Sequence, residues 1–394
     1  MDLNFTREEE EFRQKVRSFL EEELPKTGLK LGYGGEAKEW LGRAKAWQRK
    51  LYEAGYIALS WPREYGGQAM DPVRQSIVND EMVRANAPYL PGQMGLEMFG
   101  PTLITWGNEE QKRRFLTKVL TAEEIWCAGY SEPGSGSDLA SLRTRAEIVG
   151  DEFVVNGQKV WTSIAQFSDW MFGLVRTDPE APKHRGISYI LIDMKTPGIT
   201  VRPLVQITGD SGFNEVFFDN VHVPRKNLVG KLNEGWIVAN TTLFHERNML
   251  GSSSGSQQRF NRLLKLAKTM TRNGRKLSDD PMMRQRMVDL EMKVEGMRFH
   301  ALRQLTDQIR GRNPGIAAMI NKLVGTELNH DLATAAMEVM GDYSMLSRDD
   351  SSVVDQGYWP YEWMLSLGLV IGGGTSHIQK NIIAERGLKM PKSR

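Results

Sequence analysis

The sequence predicts an α+β chain of three parts: an N-terminal helical bundle, a middle antiparallel β-barrel or sandwich, and a C-terminal helical bundle of four long helices. Three observations lead there. Apolar residues recur with a helical period up to about residue 120, short β-branched runs bounded by turn residues take over near residue 125, and long helical patterns return from Glu234. At 394 residues the chain exceeds one ordinary core, since a domain holds roughly 150 residues. The boundaries are placed at 1–123, 124–231 and 232–394.

In the first part, Thr6 followed by Glu9 is a capping box, and Phe12, Val16, Phe19 and Leu20 then mark one face of a helix that Pro25 ends. Further helical patterns cover Trp40 to Leu51, Pro72 to Ala85 and Glu109 to Leu120. In the second part, Gly150-Asp151 and Asn156-Gly157 are dipeptides of the kind that turn hairpins. The strand-like runs WMFGLVRT, GISYILIDM, GITVRPL and NEVFFDNVHVP follow. The third part reads as helices over Gly235 to Arg262, Pro281 to Gly311, Ile316 to Met340 and His377 to Glu385, with breakers at Asn313-Pro314 and Gly372 to Thr375. Arg272 to Pro281 reads as an exposed loop.

Composition excludes several classes. A hydrophobic fraction of 40% with 25% charged residues is that of a folded globular chain. A formal charge of +2 leaves no global field to gather nucleic acid or anionic lipid. The one cysteine, Cys127, can form no internal disulfide and reads as a buried thiol in a reducing, cytoplasmic setting. No two of the six histidines share the i, i+4 spacing of paired ligands, so no metal is expected. The acidic start lacks a signal-peptide pattern, and no apolar run approaches the roughly 18 residues of a membrane span.

The densest local signal is YSEPGSGSDLASL, Tyr130 to Leu142. Glycines there let backbone N–H groups approach an anion, with Ser131, Ser135 and Ser137 as further donors. A phosphate loop and a plain polar connection are both open on this segment alone, and it lacks the third glycine of a dinucleotide fingerprint. SEPGSGSD, NGQKVWTS, FNEVFFDNVHVP and GGGTSHIQKNIIAER, together with LSWPREYGG and GNEEQKRRFL, stand in the order and spacing of the acyl-CoA dehydrogenase family, which the chain resembles over nearly its whole length.

That resemblance implies the acyl-CoA dehydrogenase fold, bound FAD, and oxidation of an acyl-CoA thioester to the trans-2-enoyl product, as in β-oxidation and lipid metabolism. It also implies a homodimer or homotetramer and an electron-transfer flavoprotein as acceptor. Tyr130, Ser131, Trp161, Thr162 and Ser163 correspond to residues that meet the flavin, and Gly136 and Ser137 to residues at its pyrophosphate or the substrate entrance. Ile371 and Thr375 match flavin and phosphate contacts. Arg272 matches the arginine that reaches a neighbour's FAD, and Glu338 stands where the family has a glutamine.

The reaction needs a base for the α-proton, and a carboxylate in a dry site suits it. The family's usual glutamate position is Gly373 here, within GGGT. Some members carry the glutamate on an earlier helix before an arginine, and HER at His245 to Arg247 matches them. Glu246 is therefore the expected base, Arg247 an expected substrate contact, and the Gly373 N–H an expected donor to the thioester carbonyl. The triple glycine reads either as a wider pocket for a bulky acyl group, such as a sterol side chain, terpenoid or aryl-alkanoyl chain, or as a turn needing positive φ. Two further readings share the fold: an oxygen-using oxidase or monooxygenase, and a non-catalytic subunit of a mixed oligomer.

Overall fold

The computed structural model describes residues 5–29, 37–250, 253–312, 315–346, 348 and 350–391; for 37, 38, 247–250 and 316 only the backbone is described. The chain divides into two compact units, Met1–Glu246 and Arg247–Arg394.

The first unit begins with α1 (Arg7–Glu23), where the Thr6 hydroxyl accepts from the Glu9 N–H and the Glu9 carboxylate accepts from the Thr6 N–H. α2 (Ala37–Glu53), α3 (Pro72–Arg84, capped by Asp71), α4 (Gly100–Trp106) and α5 (Glu109–Leu120, capped by Asn108) follow. The buried side chains Trp40, Ala44, Trp47 and Leu51 recur at helical spacing along α2. A π-helical turn, Gly95–Phe99, leads directly into α4. Sequence reading passed over this stretch because Gly95, Gly100 and Pro101 look like breakers. Pro101 instead occupies the first turn, where no N–H is needed, and a Cβ on Gly100 would lie 2.0 Å from the Trp61 ring.

The β layer holds β1 (Trp126–Gly129), β2 (Arg145–Val149), β3 (Glu152–Ser163), β4 (Trp170–Arg176), β5 (Ile187–Asp193), β6 (Ile199–Leu204), β7 (Phe213–Pro224) and β8 (Leu228–Val229). Their order is β6-β7-β3-β2-β4-β5-β8, with β1 against β4. Pairing is antiparallel except that β1 and β2 run parallel to β4. Phe153, Val155, Met171, Ile190, Val216 and Val221 form its core, with Cys127 buried among them as expected. Burial pushes that thiol up to about 12. Gly150-Asp151 is the predicted hairpin turn between β2 and β3. Asn156-Gly157 is not a turn: it lies inside β3 at a register shift against β7. Gly157 is needed because a Cβ would lie 2.7 Å from Thr144.

Of the predicted helix over Gly235 to Arg262 the structure describes α6 (Gly235–Leu250), which begins in the first unit, and α7 (Ser253–Thr269), with 251–252 outside the described residues. The second unit continues with α8 (Pro281–Ile309), α9 (Ile316–Met340), α10 (Tyr358–Ile371) and α11 (Ser376–Ile382). Phe260, Leu263, Leu290, Val294, Leu332, Ala336 and Trp359 form its core. α10 went unanticipated because it is apolar on every side and carries Pro360 in its first turn. The expected loop after Arg272 contains a small hairpin, β9 (Thr271–Arg272) with β10 (Arg275–Lys276). Asn273-Gly274, both at positive φ, turns it. The breaker Asn313-Pro314 lies outside the described residues. Among the described residues no helix is long and apolar enough to cross a membrane.

Candidate active site

Each unit carries part of the predicted constellation. In the first, β1 delivers Tyr130 and Ser131, and the Val160 N–H of β3 donates to the Ser131 carbonyl at 2.9 Å. Glu132 and Ser135 exchange backbone hydrogen bonds at 3.0 Å, closing a tight turn over Pro133 and Gly134. The Ser135 hydroxyl is spent on the Asp138 carbonyl at 2.7 Å, so it is not the anion donor anticipated from the sequence. Gly136 and Ser137 are exposed, and a Cβ on Gly134 or Gly136 would meet nothing within 4 Å. The loop tip therefore presents bare backbone and one free-facing serine to solvent.

Beneath it lies a buried ion pair that sequence reading missed. Lys159 and Glu132 have side-chain exposures of 1% and 8% and meet at 2.9 Å. Lys159 also donates to the Tyr130 carbonyl at 3.0 Å. Glu132 accepts further from the N–H groups of Arg143 at 2.6 Å and Thr144 at 2.8 Å. Burial opposes the charge on both partners. It brings Lys159 down to about 8, while Lys159 and the N–H donors hold the Glu132 carboxyl below its usual range despite its burial. Buried Arg176 completes the clamp by donating to the carbonyls of Ala140 at 2.6 Å and Arg185 at 2.8 Å. The signal was present: Phe153, Val155 and Lys159 are buried at even spacing along β3, so Lys159 falls where a core residue belongs.

Two residues beyond Lys159, β3 breaks register with β7. Trp161 adopts φ +60 and is 60% exposed. A tryptophan in the left-handed region and turned out of a strand is strained, a feature that clusters at functional sites. Phe213 meets it edge-on at 6.1 Å. The neighbouring Thr162 is fully buried, its hydroxyl has no hydrogen-bond partner among the described residues, and Ser163 is half-buried. An exposed flat indole, an unpaired buried hydroxyl and a bare glycine-serine tip fit a planar, polar cofactor with a phosphate arm, which is the chemistry of FAD.

α6 brings Glu246 to the same unit. The Trp106 indole N–H donates to the Thr241 hydroxyl at 2.9 Å, and the hydroxyls of Thr102 and Thr242 meet at 2.9 Å. Glu246 lies one helical turn beyond Thr242 and is half-buried. Burial chiefly, with the charges of Tyr189 and Glu246 adding to it, holds the Tyr130 phenol well above the ordinary tyrosine range. Glu246 and Tyr130 are thus within electrostatic reach of each other. Burial also lowers the His245 imidazole, favouring its neutral form. The Arg247 side chain lies outside the described atoms.

In the second unit, Gly373 and Gly374 have φ +64 and +94, so the turn itself demands glycine. A side chain at Gly373 would be strained, which explains its absence without reference to pocket size. Lys322, fully buried on α9, donates to the carbonyls of Val370 at 2.8 Å and Gly374 at 2.7 Å. Gln379 donates to the Gly373 carbonyl at 2.8 Å. Thr375 caps α11 by accepting from the Ile378 N–H, and Ile371 is 64% exposed. At another corner Arg272 donates to the Glu338 carbonyl at 3.0 Å, and both residues are exposed.

The chain matches three sequence-family profiles: "Acyl-CoA dehydrogenase, N-terminal domain" over residues 6–123, "middle domain" over 127–221 and "C-terminal domain" over 233–388. It is 39% identical over 388 residues to acyl-CoA dehydrogenase IpdE1 of Mycobacterium tuberculosis, covering 97% of this chain and 98% of the relative. The solved steroid ACAD Tcur3481-Tcur3483 superposes with a TM-score of 0.86 at 31% identity over 100% of both chains. The ChsE4-ChsE5 complex of Mycobacterium tuberculosis gives 0.84 at 31%, again over 100% of both.

Proposed function

Because the chain belongs to the acyl-CoA dehydrogenase family and is an FAD-dependent oxidoreductase of that fold, we propose that it desaturates a bulky, ring-bearing acyl-CoA with Glu246 as the base. The observation that carries this reading is the position of Glu246 on α6, in electrostatic reach of Tyr130, set against a glycine turn at Gly373 that admits no side chain without strain. The substrate class is supported by a solved neighbour named a steroid ACAD, similar over the full length of both chains.

In this reading Tyr130, Ser131, Trp161, Thr162 and Ser163 hold the flavin ring. Gly136, Ser137, Ile371 and Thr375 hold its phosphate arm or border the substrate entrance. Bound FAD supplies the two-electron oxidising capacity. Trp161 offers an apolar face that keeps water from the reacting carbons. Glu246 removes the α-proton, the Gly373 N–H donates to the thioester oxygen as negative charge gathers there, and Arg247 contacts substrate. Arg272 and Glu338, exposed at one corner, are the residues offered to a neighbouring copy's cofactor. An electron-transfer flavoprotein is the proposed acceptor. The ChsE4-ChsE5 neighbour is a complex of two different chains, which makes a mixed oligomer the second reading of the assembly.

The test is anaerobic titration of the purified protein with straight, branched and ring-bearing acyl-CoA esters, following loss of flavin absorbance, alongside Glu246→Gln. Bleaching by ring-bearing esters, slowed in Glu246→Gln by about 10²- to 10⁴-fold, is expected. Equal bleaching of parent and variant removes Glu246 from the role of base. Bleaching by straight chains alone removes the bulky substrate.

A further inference from the structure

β3 breaks register with β7 twice, and the two breaks are built from different residues. Between Val155 and Gly157 the irregularity is taken by a glycine at φ +148; between Lys159 and Thr162 it is taken by Trp161 at φ +60. In the second, three steps along β3, from Lys159 to Thr162, face two steps along β7, from Val216 to Asn214, so β3 carries one extra residue. Glycine would adopt that conformation freely, whereas a tryptophan resists it. The indole is therefore kept for what it does there: it is 60% exposed, between Val160 at 8% and Thr162 at 0%. Ile164, three residues on, is left-handed as well, at φ +53, and something must hold both against relaxation.

That hold is a hydrogen-bonded chain centred on Asn214, the partner of Thr162 in the ladder. Asn214 is fully buried. Its amide nitrogen donates to the Thr162 carbonyl at 3.0 Å and to Gln166 Oε1 at 2.5 Å. Gln166, in the turn Ala165–Phe167, donates to the Ser211 carbonyl at 2.9 Å, and the Ile164 N–H donates to the Gly212 carbonyl at 2.7 Å. The Ser211 carbonyl fixes which end of the Gln166 amide is nitrogen, and the Gln166 oxygen then fixes the Asn214 nitrogen. Asn214 Oδ1 has no partner among the described residues, so the side chain holds the bulge through its N–H groups. Phe213, next along β7, meets the indole edge-on at 6.1 Å. One end of β7 thus fixes the backbone beside Trp161 and braces its ring.

We propose that Asn214 is a positioning residue for Trp161: through the Thr162 carbonyl and Gln166 it holds the bulge that turns the indole outward, and so sets the face that Trp161 offers to the flavin. Without those N–H donors the extra residue relaxes from the left-handed conformation, and only part of the molecules present the indole ready for binding. Asn214 touches neither substrate nor cofactor in this assignment and acts only through Trp161. The proposal rests on the acyl-CoA dehydrogenase reading, which makes Trp161 a neighbour of the flavin.

The experiment measures the FAD dissociation constant of the holoprotein by ultrafiltration, together with the absorption spectrum and reduction potential of its flavin. It compares the parent, Asn214→Leu, Gln166→Leu, Trp161→Ala, and Trp161→Ala combined with each of the other two. Asn214→Leu should weaken FAD binding about tenfold, the size of one net hydrogen bond, and displace the flavin absorption bands. Gln166→Leu, which leaves the Thr162 contact in place, should weaken it less. Added to Trp161→Ala, Asn214→Leu should change FAD binding by less than about twofold, because the residue it acts through is gone. An equal loss with and without the indole, or parent-like binding and spectrum in a folded Asn214→Leu protein, overturns the assignment and leaves the dehydrogenase reading standing. Should Asn214→Leu fail to fold, the same comparison is read from Gln166→Leu with and without Trp161→Ala. A parent that takes up no FAD overturns the dehydrogenase reading as well.

Discussion

Lys159 and Lys322 are both fully buried, one on β3 of the first unit and one on α9 of the second, and each holds the carbonyls of a glycine-bearing motif. They differ in how the backbone they hold gets its shape. Lys159 has a carboxylate, Glu132, which itself gathers two backbone N–H groups, so cation, anion and loop form one closed set. Lys322 donates to the carbonyls of Val370 and Gly374, on either side of Gly372 and Gly373. The difference teaches that two unlike backbones can be fixed by one device: side chains shape the SEPGSGSD loop, whereas in GGGT positive-φ glycines make the shape and the lysine locks it.

The comparison breaks first at Lys159. Lys159→Met leaves Glu132 charged and unpaired in the interior, which costs about 3–5 kcal/mol. Chemical denaturation should show that loss, and flavin should be released on gel filtration. A variant that keeps both stability and flavin would show that the pair does not hold the loop. Lys322→Met should cost less, about 1–3 kcal/mol for carbonyls left unmet. Its effect on activity should exceed its effect on the stability of the first unit, because the turn it locks carries Gly373; parent-like kcat in a folded Lys322→Met variant would contradict this.

The smallest effect is a slope with pH. Folded Lys159 gives up its proton near 8, whereas the unfolded chain keeps it to the ordinary 10.5. Between those values the unfolded chain binds more protons, so stability attributable to this group rises with pH across the window, by at most about 1.4 kcal/mol per pH unit. Denaturant midpoints taken from pH 7.5 to 10 should show that rise in the parent relative to Lys159→Met. Superimposable profiles would mean that Lys159 is not held down.

Both lysines occupy positions whose spacing already assigns them to the interior. Lys159 shares the inward side of β3 with Phe153 and Val155, and Lys322 lies in line with Ala318, Thr326 and Asn329 on the buried face of α9. Their inward position was legible. Their partners were not, since Glu132 lies 27 residues from Lys159 and Gly374 lies 52 from Lys322. The segment from Gly95 to Trp106 shows the opposite limit: its glycines and Pro101 look like breakers, and neither the π-turn nor the Thr102–Thr242 contact has a local signature.

The sequence by itself determined the helical, β, helical order, most strands and capped helices, and the motifs that identify the family, because periodicity, caps and turn dipeptides act over a few neighbouring residues. Tertiary structure decided that Asn156-Gly157 continues a strand, that Trp161 is turned out on a strained bulge, that Ser135 is spent inside its own loop, and that buried lysines hold the two glycine motifs. Each of these depends on groups far apart along the chain, where the cost of burying a charge or crowding a Cβ is set only once the chain has folded.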